Sequence, residues 1–197
     1  GLVGSEMCTR DRYYPNPSSL DELYGQTFQL LKTGNITRAL ENINNCIKIE
    51  PFNPYFYELK GQIYHENGIV TEAIKNFEKA IEILKNENSF KLSLSKSLYL
   101  HGGTNKLTKA INLLEEYKKN EEFPIEALHY LGLSYGKIGR YSLSSLALTE
   151  KFLLLNDIKN AKVHLVKAKK LIKKNTKEHR IFKDLSNLLK QKEKELK

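Results

Sequence analysis

The sequence predicts an all-α protein, a solenoid of about ten antiparallel helices that ends in a C-terminal capping helix. Two observations predict this class. Apolar residues recur with the helical period in one segment after another, and glycine and alanine recur at a fixed spacing of about 34 residues. A chain of 197 residues has room for about five helical pairs of that length.

The clearest copy of the repeat lies in residues 53–84. Asn53 is expected to cap a helix that begins at Pro54, and Gly68 to end it in a left-handed conformation. Large and small residues alternate on the facing sides of the two helices: Tyr57, Gly61 and Tyr64 on the first, and Ala73, Phe77 and Ala80 on the second. Such helices can approach closely and interlock. The pattern resembles the tetratricopeptide repeat, which is about 34 residues long.

Four copies of this pattern can be aligned along the chain. The matching residues are Gly34 with Ala39, Gly68 with Ala73, Gly103 with Ala110 and Leu114, and Gly132 with Tyr135 and Gly139. The third copy requires a short insertion in the loop of residues 101–104. The repetition predicts the fold but selects no partner, because such arrays bind many unrelated proteins.

Three segments are predicted along the chain. Residues 1–18 form an extended lead-in, of which residues 1–6 are interpreted as left over from expression cloning because the only methionine is Met7. Residues 19–175 form the repeat array, which a capping box at Ser19 begins. Residues 176–197 form a basic capping helix with one apolar stripe, Ile181, Phe182, Leu185, Leu188 and Leu189.

Helix boundaries follow from the caps, glycines and prolines. The predicted helices span about residues 19–33, 36–49, 54–68, 69–84, 89–101, 105–119, 124–139, 141–155, 157–174 and 176 onward. The pairing of the eighth and ninth helices stays open. The eighth can close the fourth repeat or open a fifth.

The net charge of +9 comes from the C-terminal end of the chain. Residues 157–197 hold 14 lysines and arginines against five aspartates and glutamates, whereas residues 1–156 hold 18 of each. Lysine outnumbers arginine 13 to 1 in this segment, and no aromatic residues alternate with the lysines to stack on bases. We therefore expect a solvated outer face and no specific nucleic-acid binding.

The two cysteines allow two interpretations. Cys46 occupies the small-residue position that Ala80 fills in the next copy, which favours a buried free thiol. A disulfide between Cys8 and Cys46 remains open, and it would require an oxidising compartment.

Sequence motifs of catalytic and metal sites are absent. His65-Glu66 is not followed by a second histidine, so the zinc-peptidase motif H-E-x-x-H is missing. No Cys-x-x-Cys, P-loop or Gly-x-Ser-x-Gly occurs either. We expect no catalytic residue, no bound metal and no cofactor. No apolar run approaches the 18 or so residues of a membrane span.

The first helix of each pair is expected to line a concave face that binds a partner. The predicted partner-binding residues are Tyr24, Phe28, Tyr55, Glu58, Gln62, His65, Lys96, Tyr99, His129 and Lys137. Their mixture of aromatic and polar groups suits an extended or helical peptide, although several could merely pack the helices. Receptors that clamp a terminal carboxylate place lysine and asparagine here; this chain has Tyr24, Glu58, Leu92 and His129 at the first such position, so we do not expect that specificity.

A more specific resemblance involves residues 53–63, 130–139 and 145–150. From about Tyr24 to Leu185 the chain resembles the C-terminal tetratricopeptide region of bacterial periplasmic zinc metallopeptidases of the BepA type. In that family the catalytic domain precedes the repeats, which engage outer-membrane assembly machinery or its substrates. The resemblance implies a periplasmic, non-catalytic interaction module whose partners include outer-membrane assembly proteins. The lysine-rich segment after Asn175 departs from the family pattern.

Two other functions stay open. The chain could be an independent cytoplasmic adaptor built from the same repeats. It could also bind an anionic surface or a nucleic acid through its basic end. The neighbouring coding sequence would distinguish the first alternative, because it shows whether a zinc-peptidase domain precedes Cys8.

Overall fold

The computed structural model describes residues 19–119 and 123–195. These residues form ten α-helices and no β-strand. In chain order the helices are α1 (Leu20–Lys32), α2 (Ile36–Ile49), α3 (Pro54–Glu66), α4 (Val70–Ile83), α5 (Asn88–His101), α6 (Thr104–Tyr117), α7 (Ile125–Lys137), α8 (Tyr141–Leu154), α9 (Ile158–Leu171) and α10 (Lys177–Glu195). They fall into two compact units: α1 to α4, which end before Lys85, and α5 to α10, which follow from Asn86 onward.

Side-chain caps and left-handed residues define the helix ends. At several N-termini a polar side chain accepts a hydrogen bond from a main-chain N–H of the first turn, which would otherwise lack a partner. These caps are Ser19, Asn35, Asn53, Asp157 and Thr176. Gly68 has a φ of +75°, as expected for a residue that ends a helix in the left-handed region. The predicted caps at Ser19, Asn53 and Thr176 and the predicted helix end at Gly68 are confirmed.

In the first unit, consecutive helices pack into one core. Leu30, Ile43 and Ile63 are almost completely buried there. Helices α3 and α4 approach each other closely, since a Cβ atom added to Gly61 would lie 2.7 Å from the Phe77 ring. Only glycine fits at this point without displacing a buried aromatic side chain.

A small residue also occupies the position of Gly61 in other repeats, although it is not always glycine. One repeat length before Gly61 lies Thr27, and one repeat length after it lies Ser95; both are fully buried. Each hydroxyl donates to the carbonyl oxygen one helical turn earlier, Thr27 to Leu23 at 3.0 Å and Ser95 to Lys91 at 2.7 Å. The helix therefore satisfies the buried hydroxyl internally, and the side chain stays compact. From the sequence, only the glycine copies were recognisable.

The third repeat keeps the regular period, so the predicted insertion in the loop of residues 101–104 is wrong. Helices α5 and α6 each begin one repeat length after α3 and α4, and Gly102, with a φ of +76°, takes the place of Gly68. The residues that match Ala73, Phe77 and Ala80 are then Leu107, Ile111 and Leu114, all buried. The lengthened connection lies before α7, which begins more than one repeat length after α5.

Helix α8 packs on both α7 and α9, which answers the open question of pairing. Toward α7, a Cβ added to Gly132 would lie 2.9 Å from Leu148. Thr149 is fully buried, and it precedes Ala161 by the same sequence separation that divides Gly61 on α3 from Ala73 on α4. Helix α8 thus closes the fourth repeat and opens the fifth.

The last two helices end the array. Helix α9 ends at Leu171, before the predicted Lys174, because Ile172 adopts an extended conformation and packs against the core that α8, α9 and α10 share. Asn175 has a φ of +64° in the turn that follows. Leu185 and Leu189 of α10 are buried against α8 and α9, whereas Leu188 of the predicted stripe is 37% exposed.

Candidate functional site

The predicted partner-binding residues lie on the first helix of each pair. Six are in the first unit, Tyr24 and Phe28 on α1 and Tyr55, Glu58, Gln62 and His65 on α3. Four are in the second unit, Lys96 and Tyr99 on α5 and His129 and Lys137 on α7. They therefore form two groups, one in each unit.

In the first unit, α1 and α3 place an aromatic cluster beside a polar pair. The Tyr24 ring meets Phe28 edge-to-face, with 5.1 Å between centroids, and lies 5.2 Å from Phe56. Gln62 donates a hydrogen bond to the Glu58 carboxylate. Burial raises the pKa of Tyr24, and the negative charge of Glu58 raises it further. These four predicted residues therefore lie close together, and the Phe28 ring is 42% exposed.

The remaining two predicted residues of this unit are at the ends of α3. Tyr55 is in the first turn, half exposed, and lines a shallow depression with Pro51 and Phe52, whose side chain is 82% exposed. His65 is in the last turn and is half buried.

In the second unit, Tyr130 connects the four predicted residues. The centroid of the Tyr130 ring lies 5.6 Å from the centroid of Tyr99 and 5.5 Å from the centroid of His129. The Lys96 ammonium lies 5.9 Å from the same Tyr130 centroid. The Lys137 ammonium is 4.0 Å from the centroid of the Tyr99 ring, a close cation–π contact. The structure thus brings Lys96, Tyr99, His129 and Lys137 into one contact network.

The network continues onto α8 and α9. Lys151 Nζ lies 3.2 Å from His129 Nδ1 and 5.1 Å from the centroid of the Phe152 ring. The Phe152 ring stacks on His164, with centroids 5.3 Å apart and planes 17° apart. We call the whole series the aromatic–lysine row: Lys137, Tyr99, Tyr130, His129, Lys151, Phe152 and His164.

The row carries positive charge from its lysines. Lys96 is paired with Glu126 at 2.8 Å, and the nearby Glu150 is paired with Lys118. Within residues 19–119 and 123–195, no carboxylate pairs with Lys137 or Lys151.

The two histidines of the row are kept neutral. Burial lowers the pKa of His129, and Lys151 lowers it further, against an opposing effect of Glu126. Burial also lowers the pKa of His164, with Lys167 and Lys151 acting in the same direction. Near neutral pH the row is therefore cationic at its lysines and uncharged at its rings.

Four residues of the row were not predicted as site residues: Tyr130, Lys151, Phe152 and His164. Tyr130 directly follows His129, which was predicted by counting along the repeat. A second ring next to a predicted site residue on the same helix could have indicated Tyr130. The other three lie on α8 and α9. Their place on this surface depends on the double role of α8, which the sequence left open.

The described part of the chain contains no group of three His, Cys, Asp or Glu side chains that could hold a metal ion. No helix in it combines the length and apolar character needed to span a membrane. Cys46 is completely buried, and burial raises the pKa of its thiol to about 11. Cys8 lies outside the described residues, so the alternative of a disulfide stays untested.

Known proteins resemble this chain in sequence and in fold. The family model of the tetratricopeptide repeat matches residues 54–86, the α3–α4 hairpin. The structure of MamA residues 41 to the end, from Desulfovibrio magneticus RS-1, superimposes with a TM-score of 0.68 at 15% identity, covering 91% of this chain and 97% of that one. This chain has the tetratricopeptide-repeat fold. The predicted fold class, an all-α tetratricopeptide-repeat (TPR) solenoid, is confirmed.

Two further proteins resemble this chain. A TPR repeat-containing protein of Methanocaldococcus jannaschii is 46% identical over 54 residues, which are 27% of this chain and 10% of that protein. The chain thus matches only a tenth of the length of this relative. YrrB, described as a TPR protein with an unusual peptide-binding site, superimposes with a TM-score of 0.61 at 18% identity, covering 89% of this chain and 92% of that one.

Proposed function

We propose that this TPR chain is a protein-interaction module that binds an extended segment of a partner protein along the aromatic–lysine row. The observation that carries the proposal is the contact network around Tyr130. It joins the four predicted residues of the second unit, which come from two different helices.

The contacts within the row suit it to binding. Tyr99, Tyr130 and His129 are half buried, and their edge-to-face contacts hold the rings in place while leaving part of each ring accessible. A partner then gains contact area without losing the entropy of ordering these side chains. Aromatic residues in such rigid positions are the usual centres of binding energy at interfaces.

A peptide is the class of partner that the surroundings favour. The row crosses α5, α7, α8 and α9, so a bound segment would have to extend over several helices. YrrB, which shares the fold, is described as having a peptide-binding site. The cluster of Tyr24, Phe28, Glu58 and Gln62 is proposed as a second contact surface, within the first unit.

We also propose a setting for the module, on the resemblance of residues 53–63, 130–139 and 145–150 to the BepA-type peptidases. In this setting the chain is the non-catalytic part of a periplasmic zinc peptidase and contacts outer-membrane assembly proteins. An independent cytoplasmic adaptor is the alternative. Purification of the endogenous protein distinguishes the two, because it shows whether a peptidase domain is part of the same polypeptide.

Peptide display tests the binding function directly. Peptides selected on the full chain from a random library are measured by fluorescence anisotropy against the wild type and a Tyr99→Ala/Tyr130→Ala variant. We expect the double variant to bind about tenfold or more weakly, since two central aromatic contacts are removed. Tyr141→Ala is the matched control, because Tyr141 is 61% exposed and lies outside the row. Selected peptides that bind both variants as tightly as the wild type would contradict the proposed surface.

A further inference from the structure

We infer that the aromatic–lysine row selects acidic segments, peptides in which aspartate or glutamate side chains alternate with apolar residues. The inference rests on the proposed function and deepens it, because it names the chemistry of the partner. It is carried by the charge and hydrogen-bonding state of Lys151 and its neighbours.

Lys151 is a half-buried cation without a counter-ion in the described residues. Two carboxylate groups on α7 and α8 are engaged with other lysines, Glu126 with Lys96 and Glu150 with Lys118. The ammonium contacts the His129 ring and the Phe152 face instead. A partly desolvated ammonium gains more from an incoming carboxylate than a fully hydrated one, because the effective dielectric constant around it is lower.

His129 adds a second donor, on the edge of its ring that faces away from this cation. An ammonium group can only donate hydrogen bonds, so His129 Nδ1, at 3.2 Å from Lys151 Nζ, acts as the acceptor. A neutral imidazole that accepts at Nδ1 carries its hydrogen on Nε2. The pair thus offers an ammonium and, on the opposite edge of the ring, an imidazole N–H, two separate donors that suit the carboxylates of an acidic segment.

The position of Lys137 favours acidic side chains within a segment over a single chain terminus. Lys137 ends α7 and lies over Tyr99, whereas Lys151 is in the last turn of α8 beside Phe152. Tyr99, Tyr130 and His129 lie between them in the series of contacts. Two cations separated by aromatic rings fit acidic residues separated by apolar ones.

The ring contacts disfavour a nucleic acid. Nucleobases bind single-strand proteins by stacking on exposed aromatic faces. Here the Lys137 ammonium covers the Tyr99 ring at 4.0 Å, and Phe152 and His164 stack face to face. The faces on which a base would stack are thus already in contact with other groups, whereas the ring edges and the lysine charges remain available to a peptide.

The test uses the full chain and three fluorescent peptides of equal length with amidated C-termini. Phenylalanine and leucine alternate with glutamate in the first, with glutamine in the second and with lysine in the third. In about 150 mM salt we expect the glutamate peptide to bind at least about tenfold more tightly than the glutamine peptide, through complementary charge.

Substitutions then assign the preference to Lys151. Lys151→Gln should weaken binding of the glutamate peptide by about fivefold or more and leave the glutamine peptide unchanged, while Lys151→Arg should retain the preference because it keeps the charge. Lys170→Gln is the matched control, since Lys170 is exposed on α9 and takes no part in the row.

Each contrary outcome has a distinct meaning. Equal binding of the glutamate and glutamine peptides overturns this inference and leaves peptide binding intact. Failure of all three peptides, together with failure of display selection, overturns the proposed function and the inference with it. Binding of an acidic peptide only when its C-terminus is free, or tighter binding of single-stranded oligothymidylate that depends on Lys151, overturns the choice of internal acidic side chains.

Discussion

At the scale of single residues, Gly61 determines how closely α3 and α4 approach. A Cβ at this position meets the buried Phe77 ring at 2.7 Å. We expect Gly61→Ala to lower the free energy of unfolding by about 1–3 kcal/mol, the usual cost of overpacking a core. Urea denaturation measures the change.

Gly25 provides the matched control for this substitution. It also lies inside a helix, but a Cβ there meets no atom within 4 Å. Gly25→Ala should therefore stabilise the chain by up to about 1 kcal/mol, because alanine favours the helical conformation. If both variants had the same stability, crowding at Gly61 would not be the cause.

His129 and His164 make the stability of the second unit sensitive to acid. Burial lowers the pKa of both rings below the ordinary value of 6.5. The unfolded chain then binds protons at a higher pH than the folded chain, so the free energy of unfolding decreases as the pH falls from about 6.5 through the folded pKa values. Above that range both states are neutral and the effect is absent.

A His129→Gln/His164→Gln variant should therefore lose less stability than the wild type between about pH 7.5 and pH 5. Urea midpoints at several pH values show the difference. His101→Gln is the control, because His101 is exposed at the end of α5. A double variant with the same pH dependence as the wild type would show that the two rings do not resist protonation.

Cys46 should react only when the chain unfolds. Its side chain is fully buried and the pKa of its thiol is raised to about 11, so the reactive thiolate is scarce and inaccessible. In a Cys8→Ser variant at pH 8, we expect Ellman's reagent to modify Cys46 at a rate that follows the unfolded fraction in urea. Rapid modification without urea would contradict this burial.

At the scale of helices, α8 serves two neighbours, and Thr149 tests this role. Thr149 is fully buried, with its hydroxyl bonded to the Ser145 carbonyl at 2.8 Å. Thr149→Leu should cost about 1–3 kcal/mol by overpacking the contact with α9. Thr108 makes the same bond at 2.8 Å on an exposed face of α6, so Thr108→Leu should be nearly neutral. Equal stability of the two variants in urea would show that α9 does not pack on the Thr149 face of α8.

The helices could be predicted from the sequence because their ends carry local signals. Asn53 and Gly68 bound α3 through a side-chain cap and a left-handed residue, which depend on neighbouring residues only. The third repeat was aligned wrongly for two physical reasons. Gly102 and Gly103 both have positive φ, so either could match Gly68, and Leu107 places a large residue where other copies have a small one.

The candidate site could be predicted only in part. Lys96, Tyr99, His129 and Lys137 follow from counting along the first helix of each pair. Their connection through Tyr130, and the extension to Lys151, depend on which helices pack together. Local periodicity does not contain that information, since α8 packs against α7 and α9 with different residues of the same helix.

At the scale of the whole chain, the positive charge is concentrated at the C-terminal end. Lys162 forms a salt bridge with Glu193, and Lys192 donates a hydrogen bond to Asn156. Some of the lysines therefore help to hold α10 against the rest of its unit. The other lysines of α9 and α10 lie mostly on exposed positions. We expect only weak nucleic-acid binding that is lost near physiological salt, in the range of a merely basic surface.

Fluorescence anisotropy with a labelled duplex and a labelled single strand checks this expectation over a range of salt concentrations. The steep loss of affinity with salt is the signature of counterion release without base recognition. Submicromolar binding of either probe in about 150 mM salt would instead make the basic end a nucleic-acid site.

The double use of α8 also constrains how the array can grow by duplication. If one whole repeat were inserted before Pro54, its first helix would pack on α2 and its second helix on α3. Each new helix would then have the same kind of neighbour that α2 and α3 have now. The same module inserted after Leu155 would separate α8 from α9 and leave the Thr149 face against an unmatched helix. At this end the step from Gly132 to Thr149 is half a repeat, so the register of the array advances by one helix instead of two.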